Sequence, residues 1–250
     1  MKRLAEILGS AALFVAVFSA PASAQQRWMV DFETGGVTTG YNDVRIPNET
    51  GTLFSLTDDL STNSKAFWRV RAEVRLAPKH IVSVLAAPLT LHASGVVDRP
   101  ITFLDEVFPA DIPLKATYQF NSYRVTYRYE FVQGEKWKFG VGFTGKIRDA
   151  ITRVEGGGKS VTKTNVGFVP LLNFRLERVL SSRASLLLEG DAAAAPQGRA
   201  EDILAALQIA LNKYASLKVG YRLLEGGADV DEVYTFTALH YGVVGLTVRF

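Results

Sequence analysis

The last segment of the chain alternates between two rows of side chains, and this pattern predicts a β-strand. Alternation with a period of two residues is typical of a strand, because successive side chains point to opposite faces. The segment is longer than an ordinary globular strand and long enough to cross a bilayer at a tilt. Its more apolar row contains Phe236, Ala238, His240, Gly242, Val244, Leu246, Val248 and Phe250.

Four further segments alternate in the same way, and in each of them charged residues lie opposite the apolar row. A strand of a soluble sandwich would also alternate, with its polar face in solvent. The alternation by itself therefore leaves two architectures open, a soluble β-sandwich and a membrane barrel. The segments are "FWRVRAEVRL" (67–76), "YRVTYRYEF" (123–131), "KWKFGVGFTGKIR" (136–148) and "LNFRLE" (172–177).

The connections between these segments favour the barrel. Transmembrane barrels have tight periplasmic turns and longer external loops. We therefore predict one closed antiparallel transmembrane barrel of about ten strands, with eight or twelve as alternatives. Short polar breaks at 77–80, 133–136, 180–183 and 212–215 are interspersed with longer connections at 37–64, 98–114, 152–163, 195–200 and 226–232. The predicted strands lie near 27–36, 65–76, 81–96, 116–132, 136–150, 164–179, 184–194, 201–211, 215–225 and 234–250.

Residues 1–24 have the pattern of a cleavable secretory signal peptide. Lys2 and Arg3 form a positive start, an apolar core follows, and the stretch 22–24 ("ASA") matches the small-residue cleavage pattern. A transmembrane anchor is the alternative, but the apolar stretch is short for one. We therefore expect an exported chain whose mature part, residues 25–250, is a single barrel domain.

The composition narrows the possible functions. Cysteine is absent, and this excludes disulfides and thiolate metal sites. The net charge of +3 is close to balance, which argues against nucleic acid as a partner. No run of about 18 apolar residues follows residue 24, so we expect no transmembrane helix. We also expect no cofactor and no metal.

The signal pattern, the ten amphipathic segments and the alternating ending closed by Phe250 resemble the outer-membrane β-barrel proteins of Gram-negative bacteria. The resemblance covers the whole mature chain, and it concerns architecture rather than activity. It implies contact with outer-membrane lipid, including lipopolysaccharide, and recognition of the terminal strand by the barrel-assembly machinery. Aromatic residues near predicted strand ends suit the headgroup boundary. They are Trp28, Trp68, Tyr129, Phe131, Trp137, Tyr234 and Phe250.

If the apolar rows face lipid, the charged rows face the interior of the barrel. A barrel of about eight strands is just filled by its own side chains, whereas wide channels need about sixteen strands. We therefore expect a narrow lumen crossed by ion pairs between arginines and carboxylates. The candidate lumen or ligand-binding residues are Arg69, Arg71, Glu73, Arg75, Arg124, Arg128, Glu130, Lys146, Arg148, Arg175, Glu177, Glu189, Asp191, Arg199, Asp202 and Arg222. Arg27, Asp31, Glu33 and Lys218 belong to the same charged rows.

Two short patterns are compatible with a hydrolase. His92 and Ser94 have the His-x-Ser spacing of the outer-membrane lipid A deacylases, although Gly95 stands where those enzymes favour asparagine. The sequence identifies no acid that would support this histidine. The ten-stranded outer-membrane aspartyl-type proteases have paired acids at the outer rim, and this chain shows no matching motif. The acids available for such a pair are Asp58, Asp59, Asp229 and Asp231.

The sequence therefore favours a barrel that is not an enzyme. Such a barrel is structural, contacts a ligand through its external loops, or conducts small solutes through a narrow lumen. Two alternatives stay open. One is a hydrolase at the outer rim that acts on lipid A or peptide, and the other is a soluble periplasmic barrel that carries a ligand.

Overall fold

A computed structural model describes residues 27–250, which form β-strands joined by turns and loops. The predicted signal peptide, residues 1–24, lies outside the described residues. Within residues 27–250, no helix is long and apolar enough to cross a membrane. The strands are β1 (Trp28–Arg45), β2 (Phe54–Ser55), β3 (Ser61–Thr62), β4 (Lys65–Ala77), β5 (His80–Ala87), β6 (Thr90–Val96), β7 (Ile101–Phe103), β8 (Glu106–Phe108), β9 (Pro113–Gln133), β10 (Trp137–Gly156), β11 (Lys159–Val179), β12 (Ala184–Ala195), β13 (Gly198–Ala210), β14 (Ala215–Val230) and β15 (Val233–Arg249).

Ten wall strands form a closed antiparallel barrel. Strands β5 and β6 act as one wall strand, because both pair with β9 and only residues 88 and 89 separate them. The barrel closes where β1 pairs with β15, from Met29 opposite Arg249 to Arg45 opposite Tyr234. This closure removes the free edges that an open sheet would expose. The predicted fold class and strand number are confirmed.

We call the half of the barrel nearer the tight turns between β4 and β5, β9 and β10, β11 and β12, and β13 and β14 the lower barrel, and the other half the outer barrel. In the lower barrel the two faces of the wall have opposite chemistry. Large apolar side chains such as Val125, Phe143 and Leu172 are exposed on the outside. Charged side chains of the same strands, such as Arg124 and Lys146, are buried inside. A wall that meets hydrocarbon must be apolar on its outer face, so this arrangement fits a transmembrane barrel. It does not fit the alternative of a soluble carrier, whose apolar rows would face inward.

Several strands are longer than the sequence predicted. Strands β9, β10 and β11 have 21, 20 and 21 residues, about twice the 9–11 residues that a tilted strand needs to cross a bilayer. The stretches 152–163, 195–200 and 226–232, predicted to be loops, are instead the ends of long hairpins with tight turns. Gly157 and Gly158 make one such turn with φ values of 55° and 80°, which glycine adopts readily. Pairing between the two arms of each hairpin overrides the weak strand propensity of its glycine and alanine residues.

The polarity of the barrel reverses along its length. On β9 the inward residues are charged or hydroxylic below Phe120, but Leu114, Ala116 and Tyr118 above it are buried and apolar. The outward row changes in the opposite sense, because Lys115 is exposed where a lipid-facing position would be apolar. Above the bilayer the wall meets water, so the strands follow the usual rule of soluble proteins. The outer part of the barrel is therefore a domain with an apolar interior.

The two long connections fold into a cap, which consists of residues 46–64 and 97–112 and fills one side of the outer barrel. Phe54 and Phe103 pack edge to face inside it, with ring centroids 6.4 Å apart. Arg99 donates two hydrogen bonds of 2.8 Å to the carboxylate of Asp59, one from each terminal nitrogen. The amide of Leu104 donates to the carbonyl of Ile46 at 2.8 Å, which joins the two connections. The cap leaves the opposite side of the outer barrel open.

Candidate functional site

The middle of the barrel is filled by a network of ion pairs that we call the charged plug. Its centre is Asp202 on β13, which accepts hydrogen bonds from three arginines on three other strands. Arg69 on β4 and Arg124 on β9 bind Oδ2 at 2.9 and 2.6 Å, and Arg222 on β14 binds Oδ1 at 2.5 Å. The plug consists of Asp31, Glu33, Arg69, Arg71, Arg124, Arg175, Glu189, Asp191, Asp202, Lys218 and Arg222.

A second carboxylate, Glu33 on β1, binds two cations of β14, which lies two strands away in the barrel wall. It accepts two hydrogen bonds of 2.9 Å from Arg222 and one of 2.6 Å from Lys218. Lys218 also donates to Asp31 at 2.5 Å. Arg222 Nη2 donates to both oxygens of Glu33, and hydrogen bonds between charged groups are stronger than neutral ones. The plug therefore braces strands that lie far apart in the sequence.

Two further carboxylates complete the charged plug on the side of β12. Asp191 accepts hydrogen bonds from Arg124 at 2.6 Å and from Thr144 at 2.6 Å. Glu189 binds Arg71 at 2.8 Å and also accepts a hydrogen bond from Arg175. All of these carboxylates are buried. Isolated charges are costly to bury, so each carboxylate depends on its cationic partners.

The remaining lumen pairs lie toward the tight-turn end of the barrel. Arg128 binds Glu73 at 2.9 Å, and Arg75 binds Glu130 at 2.9 Å. Glu177 accepts from Lys138 at 3.2 Å, close to the turn between β9 and β10. Together with the plug, these pairs extend the ionic network from the middle of the barrel to its tight-turn end.

Above the charged plug lies a cavity of about 440 Å³, which we call the outer chamber. This volume is in the range of small-molecule pockets. It occupies the side of the outer barrel that the cap leaves open. Its lining is mostly apolar and includes Tyr118, Val169, Ala193, Leu224 and Thr237. Because Tyr118 is buried, its pKa is raised to about 12, so its hydroxyl stays protonated at neutral pH.

Two cations of β10 line the outer chamber without a carboxylate partner. Lys146 is only 4% exposed, and it forms no ion pair or hydrogen bond within the described part of the chain. Its ammonium nitrogen lies 4.7 Å from the ring centroid of Phe120. Arg148 donates to the side chain of Asn165 at 2.6 Å, and its Nε is buried without a partner. The chamber therefore presents two cations without carboxylate partners beside a lining that is mostly apolar but also includes Glu201 and Glu225.

Arg199, one of the candidate lumen or ligand-binding residues, lies among the external hairpins and is one of the residues that line the outer chamber. It lies three residues from Asp202 on β13, so it falls on the other face of the strand. Its side chain is half exposed and binds Glu225 at 2.8 Å. Its guanidinium carbon lies 4.8 Å from the ring centroid of Phe236. Arg199 thus stabilises the external hairpins rather than the plug.

Three of the residues considered for hydrolysis, His92, Asp59 and Asp229, make hydrogen bonds to neighbouring strand and loop residues rather than to one another. His92 and Ser94 are both exposed on β6, and His92 Nδ1 contacts the hydroxyl of Thr117 at 3.2 Å. Asp59 is held by Arg99 and by the backbone amide of Ser55. Asp229 accepts from the side chain of Asn48 at 2.7 Å. Among residues 27–250, no group of three or more His, Asp or Glu side chains could hold a metal ion.

Sequence reasoning missed the apolar part of the outer chamber and the cap. The signal was present in the stretch "LKATYQF" (114–120), where the apolar residues occupy the same strand face that carries Arg124 and Arg128 farther along. Such a change of polarity on one strand face marks the level at which the wall leaves the bilayer. Nothing in the sequence indicated that Lys146 lacks a carboxylate partner, because its neighbours in the lumen come from strands that are distant in the sequence.

Comparisons with known proteins support the fold. No protein-family model and no curated protein sequence matches the chain. Among solved structures, the outer membrane protease OmpT from Escherichia coli aligns with a TM-score of 0.54 and 8% identity, over 90% of this chain and 97% of that one. An outer membrane channel from Pseudomonas putida F1 aligns at 0.45 and 9%, over 93% and 100%. Ail of Yersinia pestis, the attachment invasion locus protein, aligns at 0.39 and 8%, over 90% and 99%.

The fold is thus that of the outer-membrane β-barrel proteins. At this low identity the likeness to OmpT concerns the fold alone, because one barrel architecture supports many activities. The function must therefore be argued from the outer chamber and the charged plug.

Proposed function

We propose that this protein is a non-conducting barrel of a bacterial outer membrane that binds a small anionic ligand with an apolar part in its outer chamber. The observation that carries the proposal is Lys146, a buried cation that faces the chamber without a carboxylate partner. A buried charge is costly unless it is paired. An anionic group in the chamber would supply that partner, and the apolar lining would accept the rest of the ligand.

The charged plug supports the non-conducting part of the proposal. Arg69, Arg124 and Arg222 reach Asp202 from three different strands. An ion would have to break several of these buried contacts to pass, and each break leaves a charge without its partner. The plug therefore favours ligand binding over solute conduction, the other role that the sequence left open.

The non-conducting role predicts an electrically silent protein. When purified protein is inserted into a planar lipid bilayer, we expect no current above the empty-bilayer baseline, because the plug closes the lumen below the chamber. Incorporation is verified separately by recovering folded, heat-modifiable protein from the membrane. Stepwise conductance from wild-type protein would contradict this part of the proposal.

The binding role predicts that Lys146 determines affinity for an anionic probe. In lipid nanodiscs of zwitterionic phospholipid, hexyl phosphate is expected to bind the wild type, and Lys146→Met is expected to weaken binding roughly tenfold or more, because a charge-assisted hydrogen bond is lost. Isothermal titration calorimetry measures the affinity. Hexanol, which lacks the anionic group, is expected to bind equally weakly to both proteins.

Lys115→Met is the matched control for this experiment. Lys115 lies on the outer wall of β9, where it is exposed and forms no ion pair within residues 27–250. Its removal changes the net charge by the same amount without touching the chamber. Equal losses of affinity in the two variants, or no binding of hexyl phosphate by the wild type, would refute the proposed site.

A further inference from the structure

The wall of the outer chamber has a gap on one side. Strands β11 and β12 pair only from Val179 opposite Ser185 to Leu172 opposite Ala192. Above this point, residues 159–171 of β11 pair with β10 alone, and residues 193–195 of β12 pair with β13 alone. The two strands therefore separate at the level of the chamber.

Among the described residues, one ion pair spans the upper end of the gap. Lys163 on β11 binds Glu232 in the turn between β14 and β15 at 3.2 Å. Below it, the short hairpin between β12 and β13 turns at Pro196 and Gln197, and Ala193, Ala194 and Ala195 line the chamber there. We call this opening the side window. Its frame consists of β11, the β12–β13 hairpin and the Lys163–Glu232 pair.

The outer face beside the side window is apolar. Val166 and Phe168 of β11 are 71% and 67% exposed. Phe168 lies opposite Ile147 on β10, which lies opposite Tyr123 on β9, so these side chains continue the apolar belt. The lower part of the window, beside Val166 and Phe168, thus overlaps the outer end of the belt, and its upper part lies beyond the belt.

The backbone at the side window fits the boundary between the hydrocarbon and the headgroups. Unpaired backbone groups are too costly for the hydrocarbon core, but water and headgroups satisfy them. Pro170 lies on the stretch of β11 that pairs with β10 but not with β12. It has no amide hydrogen that could be left without a partner. It also discourages the addition of another strand at this edge.

The unpaired cations of the chamber lie directly behind the side window. Lys146 is the register partner of Val169, and Arg148 is the register partner of Gly167, both on the unpaired stretch of β11. The side chains of both cations line the chamber. An anionic group that passes through the window therefore meets two cations that have no carboxylate partner.

On this basis, and resting on the proposed function, we infer that the ligand is an anionic lipid of the outer leaflet that binds sideways. Its negatively charged headgroup passes through the side window to Lys146 and Arg148, and its hydrocarbon chain stays in the bilayer against Val166 and Phe168. The chemistry that is recognised is a phosphate or carboxylate on a membrane-embedded chain. A soluble anion that reaches the chamber from the aqueous mouth is the competing source.

Spin-labelled stearic acid in nanodiscs of zwitterionic phospholipid tests this geometry. With wild-type protein we expect the nitroxide placed next to the carboxylate to be immobilised, because the headgroup is held in the chamber. The nitroxide placed near the methyl end should stay mobile and accessible to dissolved oxygen, because the chain lies in the bilayer. Lys146→Met should abolish the immobilised signal, whereas Lys115→Met should leave it unchanged.

Pro196→Trp separates the side route from the aqueous route. Pro196 is exposed at the turn of the β12–β13 hairpin, at the lower edge of the side window, and is not among the residues that line the chamber, so an indole there obstructs the opening without entering the chamber. We expect this variant to lose the immobilised stearic acid signal and to retain the affinity of the wild type for soluble hexyl phosphate. Retained binding of hexyl phosphate also shows that the variant is folded.

The outcomes distinguish this inference from the proposed function. A Pro196→Trp variant that immobilises stearic acid as the wild type does would overturn binding through the window. Equal immobilisation of both nitroxide positions would do the same, because the chain would then lie inside the chamber. If the wild-type protein bound hexyl phosphate but not stearic acid, the inference that the ligand is a lipid would be wrong, and the proposed anion site would stand. If neither probe binds, the proposed function itself fails.

Discussion

Asp202→Asn is expected to lower the free energy of unfolding by about 3–5 kcal/mol. Asparagine preserves the shape of the side chain but removes the charge that Arg69, Arg124 and Arg222 share. Three buried guanidinium groups then lose their common counterion, which is the costly way to break a buried pair. Urea titration of protein folded into lipid vesicles measures the change through tryptophan fluorescence. The reporter tryptophans Trp28, Trp68 and Trp137 all lie on the exposed outer wall.

Glu201→Gln is the matched control for this substitution. Glu201 is the neighbour of Asp202 on β13, but it lies on the opposite face of the strand and forms no ion pair within the described chain. Its neutralisation should change the free energy of unfolding by less than about 1 kcal/mol, as for other surface charges. If the two substitutions had equal effects, the plug would not be the main electrostatic contribution to barrel stability.

Phe103→Ala is expected to release the cap without unfolding the barrel. Phe103 is fully buried and packs against Phe54. Loss of a buried phenylalanine costs about 3–5 kcal/mol. Because the cap is built from connections and not from wall strands, local opening should absorb most of this loss. Hydrogen–deuterium exchange should therefore accelerate by ~100-fold or more in residues 46–64 and 97–112, while the paired wall strands keep their protection.

Val107→Ala provides the comparison within the same hairpin. Val107 is 50% exposed, so its truncation removes little buried surface and should leave exchange in the cap nearly unchanged. Acceleration of exchange throughout β9 and β10 in Phe103→Ala would show instead that the cap and the barrel unfold as one unit.

The lower barrel was largely predictable from the sequence, and the outer barrel was not. Within the bilayer, one face of every strand must be apolar and the other lines the lumen. The alternation of rows such as Tyr123–Phe131 against Arg124 and Arg128 therefore determines which side each residue faces. Above the bilayer this constraint disappears. Glycine- and alanine-rich stretches such as 195–200 and 226–232 then have the composition of loops, although pairing between hairpin arms makes them mostly strand.

The sequence by itself determined a closed barrel of about ten strands with charged rows inside, because a period of two residues and the thickness of a bilayer leave few other arrangements. Only the tertiary structure decided which charges find partners. Asp202 binds arginines that lie 133, 78 and 20 residues away in the sequence. Lys146, on an inward row of the same kind, binds no carboxylate within the described residues. The side window also depends on the tertiary structure, because it results from the unequal heights of neighbouring hairpins. Ion pairs and strand heights depend on the register between distant segments, and local alternation does not encode that register.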